Sequence, residues 1–228
     1  VAINGFGRIG KNLTRQLIEA DCLSGGNGAL ELVAVNDLGD VKANAHLLKF
    51  DSIHGKIGNA ISTVGNNIIV DGKSISYISE RDPNKLPWKE HEIDIVFECT
   101  GLFTSKEAAS AHLNAGAKRV IVSAPCTDAD KTVVFGINHH ELELNDRVIS
   151  NASCTTNCLA PIADVIHKNF IIKSGLINTV HAATNDQSLL DVAHSDLYRA
   201  RAASASIIPS KTGAAKAIGL VIPELDGK

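Results

Sequence analysis

The chain contains no methionine, one tryptophan and two tyrosines. It also lacks any apolar run approaching the roughly 20 residues that a transmembrane helix needs. Its 22 basic and 25 acidic residues nearly cancel to a net charge of -3, so no charge excess indicates nucleic-acid binding. We therefore expect neither a membrane nor a nucleic acid as a partner. With 228 residues, 44% of them hydrophobic, the chain is typical of an ordinary globular protein of one large or two unequal domains.

Disulfide and zinc patterns are absent as well. The five cysteines are Cys22, Cys99, Cys126, Cys154 and Cys158. Their odd number and their spacing match neither a disulfide framework nor a set of zinc ligands. This pattern favours a reducing cytoplasm and predicts no metal site. The chain begins at Val1, inside a predicted strand and without a basic segment before an apolar one. We therefore expect a trimmed start and no signal peptide.

Apolar strands and helices alternate along the chain, which predicts an α/β fold with a Rossmann-like, doubly wound parallel sheet. The predicted strands are 1–4, 30–36, 93–97, 119–123, 132–135, 147–149 and 176–180. Asp71-Gly72 between 68–70 and 73–78 predicts a hairpin. The predicted helices are 9–20, 105–115 and 154–168, and the glycines of 21–28 predict a loop.

A glycine turn joins the first strand to the first helix as Gly5-x-Gly7-x-x-Gly10. The spacing alone is a weak signal, but it gains weight because Asp37 follows the next strand. Such a turn lets a pyrophosphate approach bare backbone at a helix N-terminus. Asp37 would accept hydrogen bonds from the adenosine ribose and repel a 2′-phosphate, which favours NAD over NADP. More residues separate Gly10 from Asp37 than the roughly 20 that are usual in dinucleotide-binding motifs, and the glycine-rich loop at 24–28 accounts for the extra residues. The alternative is a structural turn beside a solvated Asp37.

The segment Ser150-Asn-Ala-Ser-Cys-Thr-Thr-Asn-Cys158 precedes an apolar run with helical spacing. Ser153 is expected to cap this helix, so Cys154 would lie at its positive end, where a thiolate is stabilised. The alternative is a buried, inert Cys154. Cys158, one turn further on, is expected to be a packed thiol. His181, at the end of a predicted strand, is the best-placed base, but sequence distance does not choose it over the other candidates, His54, His139, His140 and His194.

Together these motifs resemble the phosphorylating glyceraldehyde-3-phosphate dehydrogenase family. The likeness is carried by Ala2-Ile-Asn-Gly-Phe-Gly-Arg-Ile-Gly10, by Ser150 to Pro161, and by Ser210-Lys-Thr-Gly-Ala-Ala-Lys-Ala217. Three shorter motifs agree, Asp51-Ser-Ile-His-Gly55, Glu98-Cys-Thr-Gly101 and Ser123-Ala-Pro125. The resemblance covers the whole chain and implies an NAD-binding domain at 1–152 and an incomplete α+β catalytic domain at 153–228. It also implies a chain truncated at both ends.

The resemblance implies specific roles for residues of this sequence. Cys154 would attack the aldehyde, with His181 activating the thiol. The implied cofactor-binding residues are Gly5, Gly7, Arg8, Ile9, Gly10, Asp37, Arg81, Thr100, Ser123 and Asn185. Thr184 and Arg199 would bind the substrate phosphate, and inorganic phosphate would bind at Ser153, Thr155, Thr212 and Gly213.

The implied activity is oxidation of glyceraldehyde 3-phosphate to 1,3-bisphosphoglycerate with NAD in glycolysis, by a cytoplasmic homotetramer. Ala183 departs from the family, which usually has tyrosine there, and matches the tendency of erythrose-4-phosphate dehydrogenase. Thr184 and the segment 212–216 favour the first substrate, because the rival does not usually carry them. A non-catalytic nucleotide-binding or redox module is a third interpretation.

Overall fold

The computed structural model describes residues 1–23 and 30–228. The chain divides into two compact units, Val1–Ser153 and Cys154–Lys228. The boundary between the units falls one residue after the predicted domain boundary. Of the loop predicted at 21–28, residues 24–28 lie outside the described residues.

In chain order the strands of the first unit are β1 (Ala2–Asn4), β2 (Ala34–Asn36), β3 (Phe50–Asp51), β4 (Gly55–Lys56), β5 (Ile61–Val64), β6 (Asn67–Val70), β7 (Lys73–Ile78), β8 (Ile95–Glu98), β9 (Arg119–Val122), β10 (Lys131–Thr132) and β11 (Val148–Ser150). Nine of them form one sheet, in the order β10-β11-β9-β8-β1-β2-β7-β6-β5. Every neighbouring pair from β10 to β7 is parallel, whereas β6 and β5 are added antiparallel. The short β3 and β4 pair with each other. The predicted α/β fold with a parallel sheet and the β6–β7 hairpin are confirmed.

The helices depart from the sequence prediction in three places. They are α1 (Arg8–Glu19), α2 (Val41–Lys49), α3 (Lys106–Ala109), α4 (Ala111–Asn114), α5 (Cys154–Phe170) and α6 (Ala214–Val221). The single helix predicted over 105–115 is wrong, since it divides at Ser110, whose hydroxyl donates to the Lys106 carbonyl at 2.6 Å. Such bonds back to the preceding turn tend to bend helices. The helices α2 and α6 were missed, although Asp40 caps α2 by accepting from the Ala43 N–H. No helix within the described ranges is long and apolar enough to cross a membrane.

Both faces of the central strands are buried, as expected for a parallel sheet. Ile3 and Val35 pack on one face with residues of α1 and α2, including Leu17 and Leu48. Alternate residues such as Ala2 and Val96 pack on the other face against Leu86, Trp88 and Ile93. Because side chains alternate along a strand, the apolar runs of β1 and β2 supply both cores at once.

Two glycines of the predicted turn are required by backbone crowding. Gly5 has a φ of +90°, and a Cβ there would lie 2.6 Å from the Thr100 nitrogen. At Gly10, a Cβ would lie 2.2 Å from the Gly5 carbonyl oxygen. Any side chain at either position would therefore separate α1 from β1 and β8.

The second unit contains α5, α6 and a long irregular segment between them. The strand predicted over 176–180 is wrong: the segment has no regular secondary structure, and the Leu176 and Val180 side chains are almost fully exposed. An isolated run of β-branched residues does not make a strand without a neighbour to accept its backbone hydrogen bonds. Within residues 154–228, no described strand offers that neighbour.

Candidate functional site

Polar residues collect at the carboxyl edge of the parallel sheet. The strand β1 lies between β2 and β8, so the chain order reverses at this point. Open α/β sheets bind ligands at such a reversal, beyond the carboxyl ends of the strands. Residues at or just after these strand ends include predicted cofactor-binding residues, namely Gly5 after β1, Asp37 after β2, Thr100 after β8 and Ser123 after β9.

The glycine turn leaves room for an anion at the start of α1. A Cβ at Gly7 would meet nothing within 4 Å, in contrast to Gly5 and Gly10. Gly7 precedes the first helical residue, Arg8, and the N–H groups of a helix's first turn lack partners within the helix. Ile9 is half-exposed beside this opening. These residues fit the pyrophosphate of a dinucleotide, which needs bare backbone and a helix N-terminus.

Asp37 is fixed by backbone donors on both carboxylate oxygens. The Phe6 N–H, within the glycine turn, donates to Oδ2 at 2.8 Å, and the Gly39 N–H donates to Oδ1 at 2.8 Å. The side chain is half-buried. The carboxylate is therefore held directly beside the glycine turn, where it can accept hydrogen bonds from a ribose.

Arg8 forms an ion pair with Asp51. The side chain of Asp51 is only 3% exposed, while that of Arg8 is 43% exposed. The His54 and Ile53 N–H groups and the Arg8 guanidinium hold the pKa of the Asp51 carboxyl well below its usual range. Arg8 thus keeps an exposed cationic face near the start of α1, and the motif Asp51 to Gly55 has a structural use in anchoring it.

The other predicted cofactor residues of the first unit differ in their surroundings. Arg81 is exposed and makes no ion pair within the described part of the chain. Thr100 donates from both N–H and Oγ1 to the Glu98 carboxylate. Ser123 is half-buried and contacts the Cys99 thiol. Burial raises the pKa of this thiol to about 12. Cys99 is therefore an inert neighbour of the site.

A buried polar network under this edge was missed by the sequence analysis. Glu98 Oε2 accepts from Asn4 Nδ2 at 2.6 Å and lies 2.9 Å from His112 Nε2. Trp88 Nε1–H donates to His112 Nδ1 at 3.0 Å. Because Nδ1 accepts, the proton of a neutral His112 is on Nε2 and points to Glu98. The signal available in the sequence was the polar ends of strands otherwise apolar, Asn4 and Glu98.

In the second unit, Cys154 and His181 are brought together although 27 positions separate them. The Cys154 Sγ lies 3.2 Å from His181 Nε2, and His181 Nδ1 lies 2.7 Å from the Ala182 carbonyl oxygen. Only an N–H can bind that carbonyl, so the protonated nitrogen of neutral His181 is Nδ1 and the basic nitrogen faces the sulfur. His181 reaches this position from irregular chain, not from the strand end that the sequence predicted.

The contact lowers the pKa of Cys154 and raises the pKa of His181, and both shifts favour the charged forms. His181 is the largest influence that lowers the pKa of the Cys154 thiol, and the Thr155 side chain adds to it. The Ala182 carbonyl, and then Cys154, raise the pKa of His181. Cys154 is the first residue of α5, so the helix dipole also favours a thiolate. The arrangement can therefore present a thiolate beside an imidazolium.

The remaining cysteines and histidines do not share this arrangement. Cys158 is exposed, so the expectation of a packed thiol is wrong: its side chain, one turn after Cys154, faces away from the packed side of α5. His54, His139 and His140 are exposed in the first unit. His194 Nε2 lies 3.4 Å from Asp186 Oδ1. No three His, Cys, Asp or Glu side chains of the described residues are arranged to bind a metal ion.

Thr184 and Arg199, the predicted ligands of the substrate phosphate, both contact Asp186. Arg199 forms an ion pair with Asp186, whose N–H donates to Thr184 Oγ1 at 3.4 Å. Arg199 Nε is buried and lies 3.5 Å from Asp196 Oδ2, so the guanidinium is ion-paired with two carboxylates. Asp186 was missed by the sequence analysis.

The predicted phosphate residues lie at two helix starts, and Asn185 lies beside Thr184. Ser153 precedes α5 and Thr155 is in its first turn. Gly213 precedes α6, and Thr212 Oγ1 accepts from the Ala214 N–H at 3.2 Å. The helices α5 and α6 pack against each other. Ser210, close to α6, lies 3.4 Å from Arg199 Nη2. Asn185 is exposed and belongs to the second unit.

Two family models match the chain in the order that the two units have. Residues 1–106 match the model described as glyceraldehyde 3-phosphate dehydrogenase, NAD binding domain. Residues 153–228 match the C-terminal domain of the same family. The first unit therefore carries an NAD-binding domain.

Curated relatives match the whole chain. Glyceraldehyde-3-phosphate dehydrogenase of Zymomonas mobilis is 56% identical, and that of Pseudomonas aeruginosa is 53% identical, each over 100% of the chain. Glyceraldehyde-3-phosphate dehydrogenase 2 of Trichormus variabilis is 55% identical over the same share. The chain spans about two thirds of the length of these relatives, 66%, 67% and 67%. The chain belongs to the glyceraldehyde-3-phosphate dehydrogenase family of NAD-dependent oxidoreductases.

Proposed function

We propose that the protein containing this chain oxidises glyceraldehyde 3-phosphate to 1,3-bisphosphoglycerate, with NAD and inorganic phosphate, in glycolysis. The observation that carries the proposal is the 3.2 Å contact between Cys154 Sγ and His181 Nε2 at the start of α5. A thiolate at this position adds to the aldehyde carbon and forms a thiohemiacetal on Cys154. Its oxygen then lies within reach of the first-turn N–H groups of α5, which stabilise negative charge.

His181 acts as the base of the oxidation. The imidazolium Nε2–H first gives its proton to the alkoxide that thiolate addition forms, and the neutral Nε2 then takes this proton back as the carbon is oxidised to a thioester. NAD, when bound, supplies the hydride acceptor for this step. The Ala182 carbonyl keeps the other ring nitrogen protonated, so that the basic nitrogen stays directed at the reacting group.

Phosphate completes the reaction by attacking the thioester carbon and releasing the Cys154 thiolate. We assign the attacking phosphate to Ser153, Thr155, Thr212 and Gly213, and the phosphate of the substrate to Thr184 and Arg199. The second assignment is supported by the contacts of both residues with Asp186, which bring Thr184 and Arg199 together. For the cofactor, we assign the pyrophosphate to Gly5, Gly7, Arg8, Ile9 and Gly10, the adenosine ribose to Asp37, the adenine side to Arg81, and the nicotinamide half to Thr100, Ser123 and Asn185.

The proposal is tested by following NADH formation at 340 nm with the full-length protein. We expect NADH with glyceraldehyde 3-phosphate, NAD and phosphate together. The variant Cys154→Ser should lose turnover, whereas Cys158→Ser should retain it. Turnover of Cys154→Ser near that of the unaltered protein would overturn the proposed nucleophile.

Erythrose 4-phosphate is a second candidate substrate because of one observation, Ala183 two positions after His181. The same assay with both aldehydes separates the candidates, and we expect a higher kcat/KM for glyceraldehyde 3-phosphate. A non-catalytic nucleotide-binding or redox module would give NADH with neither aldehyde. We further propose a homotetramer in the cytoplasm, which size-exclusion chromatography with light scattering and cell fractionation would test.

A further inference from the structure

Asp37 receives a third donor, from a side chain that the family motifs above do not include. Asn44, in α2, donates from Nδ2 to Asp37 Oδ1 at 3.2 Å and to the Tyr77 hydroxyl at 2.6 Å. Its own Oδ1 accepts from the Lys11 ammonium at 2.6 Å. Asn44 is 6% exposed, so these contacts replace water almost entirely. Each polar hydrogen and the oxygen of this amide has a partner.

The orientation of the Asn44 amide is fixed by Lys11. A rotated amide would direct its NH₂ group at the Lys11 ammonium, which has only donors, and its oxygen at the Asp37 carboxylate, which has only acceptors. Lys11 is itself 8% exposed and also donates to the Phe6 carbonyl in the glycine turn. Burial lowers the pKa of Lys11, while the charge of Asp37 opposes that shift. The ammonium, which donates to Asn44 Oδ1, thus holds the Asn44 amide directed at Asp37.

Tyr77 and Gly39 close the network around the same carboxylate. The Tyr77 hydroxyl donates to the Gly39 carbonyl at 2.7 Å, and the Gly39 N–H donates to Asp37 Oδ1. A Cβ at position 39 would lie 2.9 Å from Asn44 Nδ2 and 3.0 Å from Asp37 Oδ1. The absence of a side chain at Gly39 therefore lets Asn44 approach Asp37.

The three donors divide unequally between the two oxygens of Asp37. Among the residues that the structure describes, Oδ1 accepts from Gly39 and Asn44, whereas Oδ2 accepts only from Phe6. A carboxylate oxygen has about two lone-pair sites. Oδ2 consequently keeps a site open to a ligand hydroxyl, and Oδ1 is filled by the protein.

We propose that Asn44 is a positioning residue for cofactor recognition, which holds Asp37 so that Oδ2 faces the 2′-hydroxyl of the adenosine ribose. The inference rests on the proposed role of Asp37 and extends it to a residue that does not touch the cofactor. Asn44 acts by filling Oδ1 and by stopping rotation of the carboxylate. Lys11 acts one step further away, by orienting Asn44.

The test measures the coupling between Asn44 and one hydroxyl of the ligand. Dissociation constants of NAD and of its analogue lacking the adenosine 2′-hydroxyl are measured by calorimetry with the full-length protein. We expect the unaltered protein to bind NAD about tenfold more tightly than the analogue, because the analogue leaves a charged acceptor without its donor. In Asn44→Asp, which retains an acceptor for Lys11 but puts a like charge beside Asp37, this ratio should fall at least about threefold.

A second variant and a control separate positioning from general structural damage. Lys11→Met combined with Asn44→Leu removes both polar partners at once, which avoids an unpaired buried ammonium. The same fall in the ratio is expected. Tyr77→Phe is the matched control: it removes a contact of Asn44 and the bond to Gly39, but leaves the donor to Asp37. Its ratio should equal that of the unaltered protein even if its thermal midpoint falls.

The possible results distinguish this inference from the proposed function. If the unaltered protein binds NAD and the analogue equally, the ribose contact of Asp37 is wrong, and the role of Asn44 is overturned with it. If the unaltered protein discriminates and both Asn44 variants discriminate by the same factor, only the role of Asn44 is overturned. A variant that weakens the binding of NAD and of the analogue by the same factor also overturns the role of Asn44, because a merely structural role leaves the ratio of the two dissociation constants unchanged.

Discussion

At the scale of single residues, the contrast between the cysteines shows how position decides thiol chemistry. Cys99 and Cys126 have raised pKa values because burial disfavours a thiolate. Cys154 has a lowered pKa because His181 and Thr155 contact it at a helix start. The same residue type is thus inert in the sheet unit and activated at the first turn of α5.

This contrast predicts the site and pH dependence of alkylation. Brief iodoacetamide treatment should label Cys154 before Cys158, and mass mapping of the peptides checks this. The rate at Cys154 should rise with pH through an inflection below the usual thiol value of about 8.5, since its pKa is lowered. In His181→Asn the largest lowering influence is lost, so the inflection should move up toward about 8.5. Preferential labelling of Cys158 would contradict the assignment.

Asp37 gives a second prediction at the residue scale. Asp37→Asn should weaken NAD binding by about 1.5–3 kcal/mol, because hydrogen bonds to a charged acceptor are lost. It should also narrow the preference for NAD over NADP, because the charge that opposes a 2′-phosphate is removed. Dissociation constants of both cofactors check the change.

Asp40→Asn is the matched control for this charge change. Asp40 caps α2 through the Ala43 N–H, and asparagine caps helices about equally well. The NAD preference of this control should be unchanged. Equal efficiency of the unaltered full-length protein with NAD and NADP would sink the assignment of Asp37.

At the scale of elements, the sequence predicted what depends on local pattern and missed what depends on neighbours. The glycine turn between β1 and α1 follows from crowding at Gly5 and Gly10, and Asp71-Gly72 specifies the β6–β7 hairpin. The segment 176–180 has a strand pattern without a partner strand, so its β-propensity has no effect. The sequence analysis placed His181 near Cys154 because it expected a strand to end there. The 3.2 Å distance between Cys154 Sγ and His181 Nε2 agrees with that expectation, but irregular chain rather than a strand positions His181.

Other features had no local signal. Ala152, two residues before Cys154, has a φ of +56°, which is rare for a residue with a side chain. Nothing in the segment 150–154 distinguishes this alanine from one in a helix. The Glu98 network likewise joins residues from β1, β8, α4 and the segment before β8, so only the assembled sheet reveals it.

The Glu98 network predicts a stability effect at the ends of β1 and β8. All four contacts of the Glu98 carboxylate come from donors, on Asn4, His112 and Thr100. The isosteric change Glu98→Gln must therefore direct its NH₂ group at donors, and we expect a loss of about 3 kcal/mol in the free energy of unfolding of the first unit. Urea denaturation followed by Trp88 fluorescence measures it.

A matched substitution controls for the chemical change itself. Glu90 is exposed, and Glu90→Gln should alter the free energy of unfolding by less than about 0.5 kcal/mol. If Glu98→Gln were as mild as Glu90→Gln, Glu98 would not be the charged centre of a satisfied network.

At the scale of the whole molecule, the residues assigned to the two tasks belong mostly to different compact units. The glycine turn, Asp37 and Thr100 lie in Val1–Ser153, whereas Cys154, His181 and Arg199 lie in Cys154–Lys228. The two family models divide the chain in the same order, with an NAD-binding domain followed by the C-terminal domain. Binding of the dinucleotide and covalent chemistry should therefore respond to different substitutions.

His181→Asn tests this division. The change removes the base beside Cys154 and leaves the sequence of the first unit unaltered, so the dissociation constant of NAD should stay within about twofold of the unaltered value. Acylation by glyceraldehyde 3-phosphate should nevertheless slow by roughly 10²–10⁴, the usual contribution of one positioned acid-base group. Stopped-flow measurement of the NADH burst in the first turnover of each active site gives the acylation rate, and calorimetry gives the dissociation constant of NAD.

The control variant is His140→Asn, at an exposed histidine of the first unit, which should change neither quantity. An unchanged acylation rate in His181→Asn would show that another group serves as the base, and a parallel loss of NAD affinity would show that the two tasks are not separable between the units.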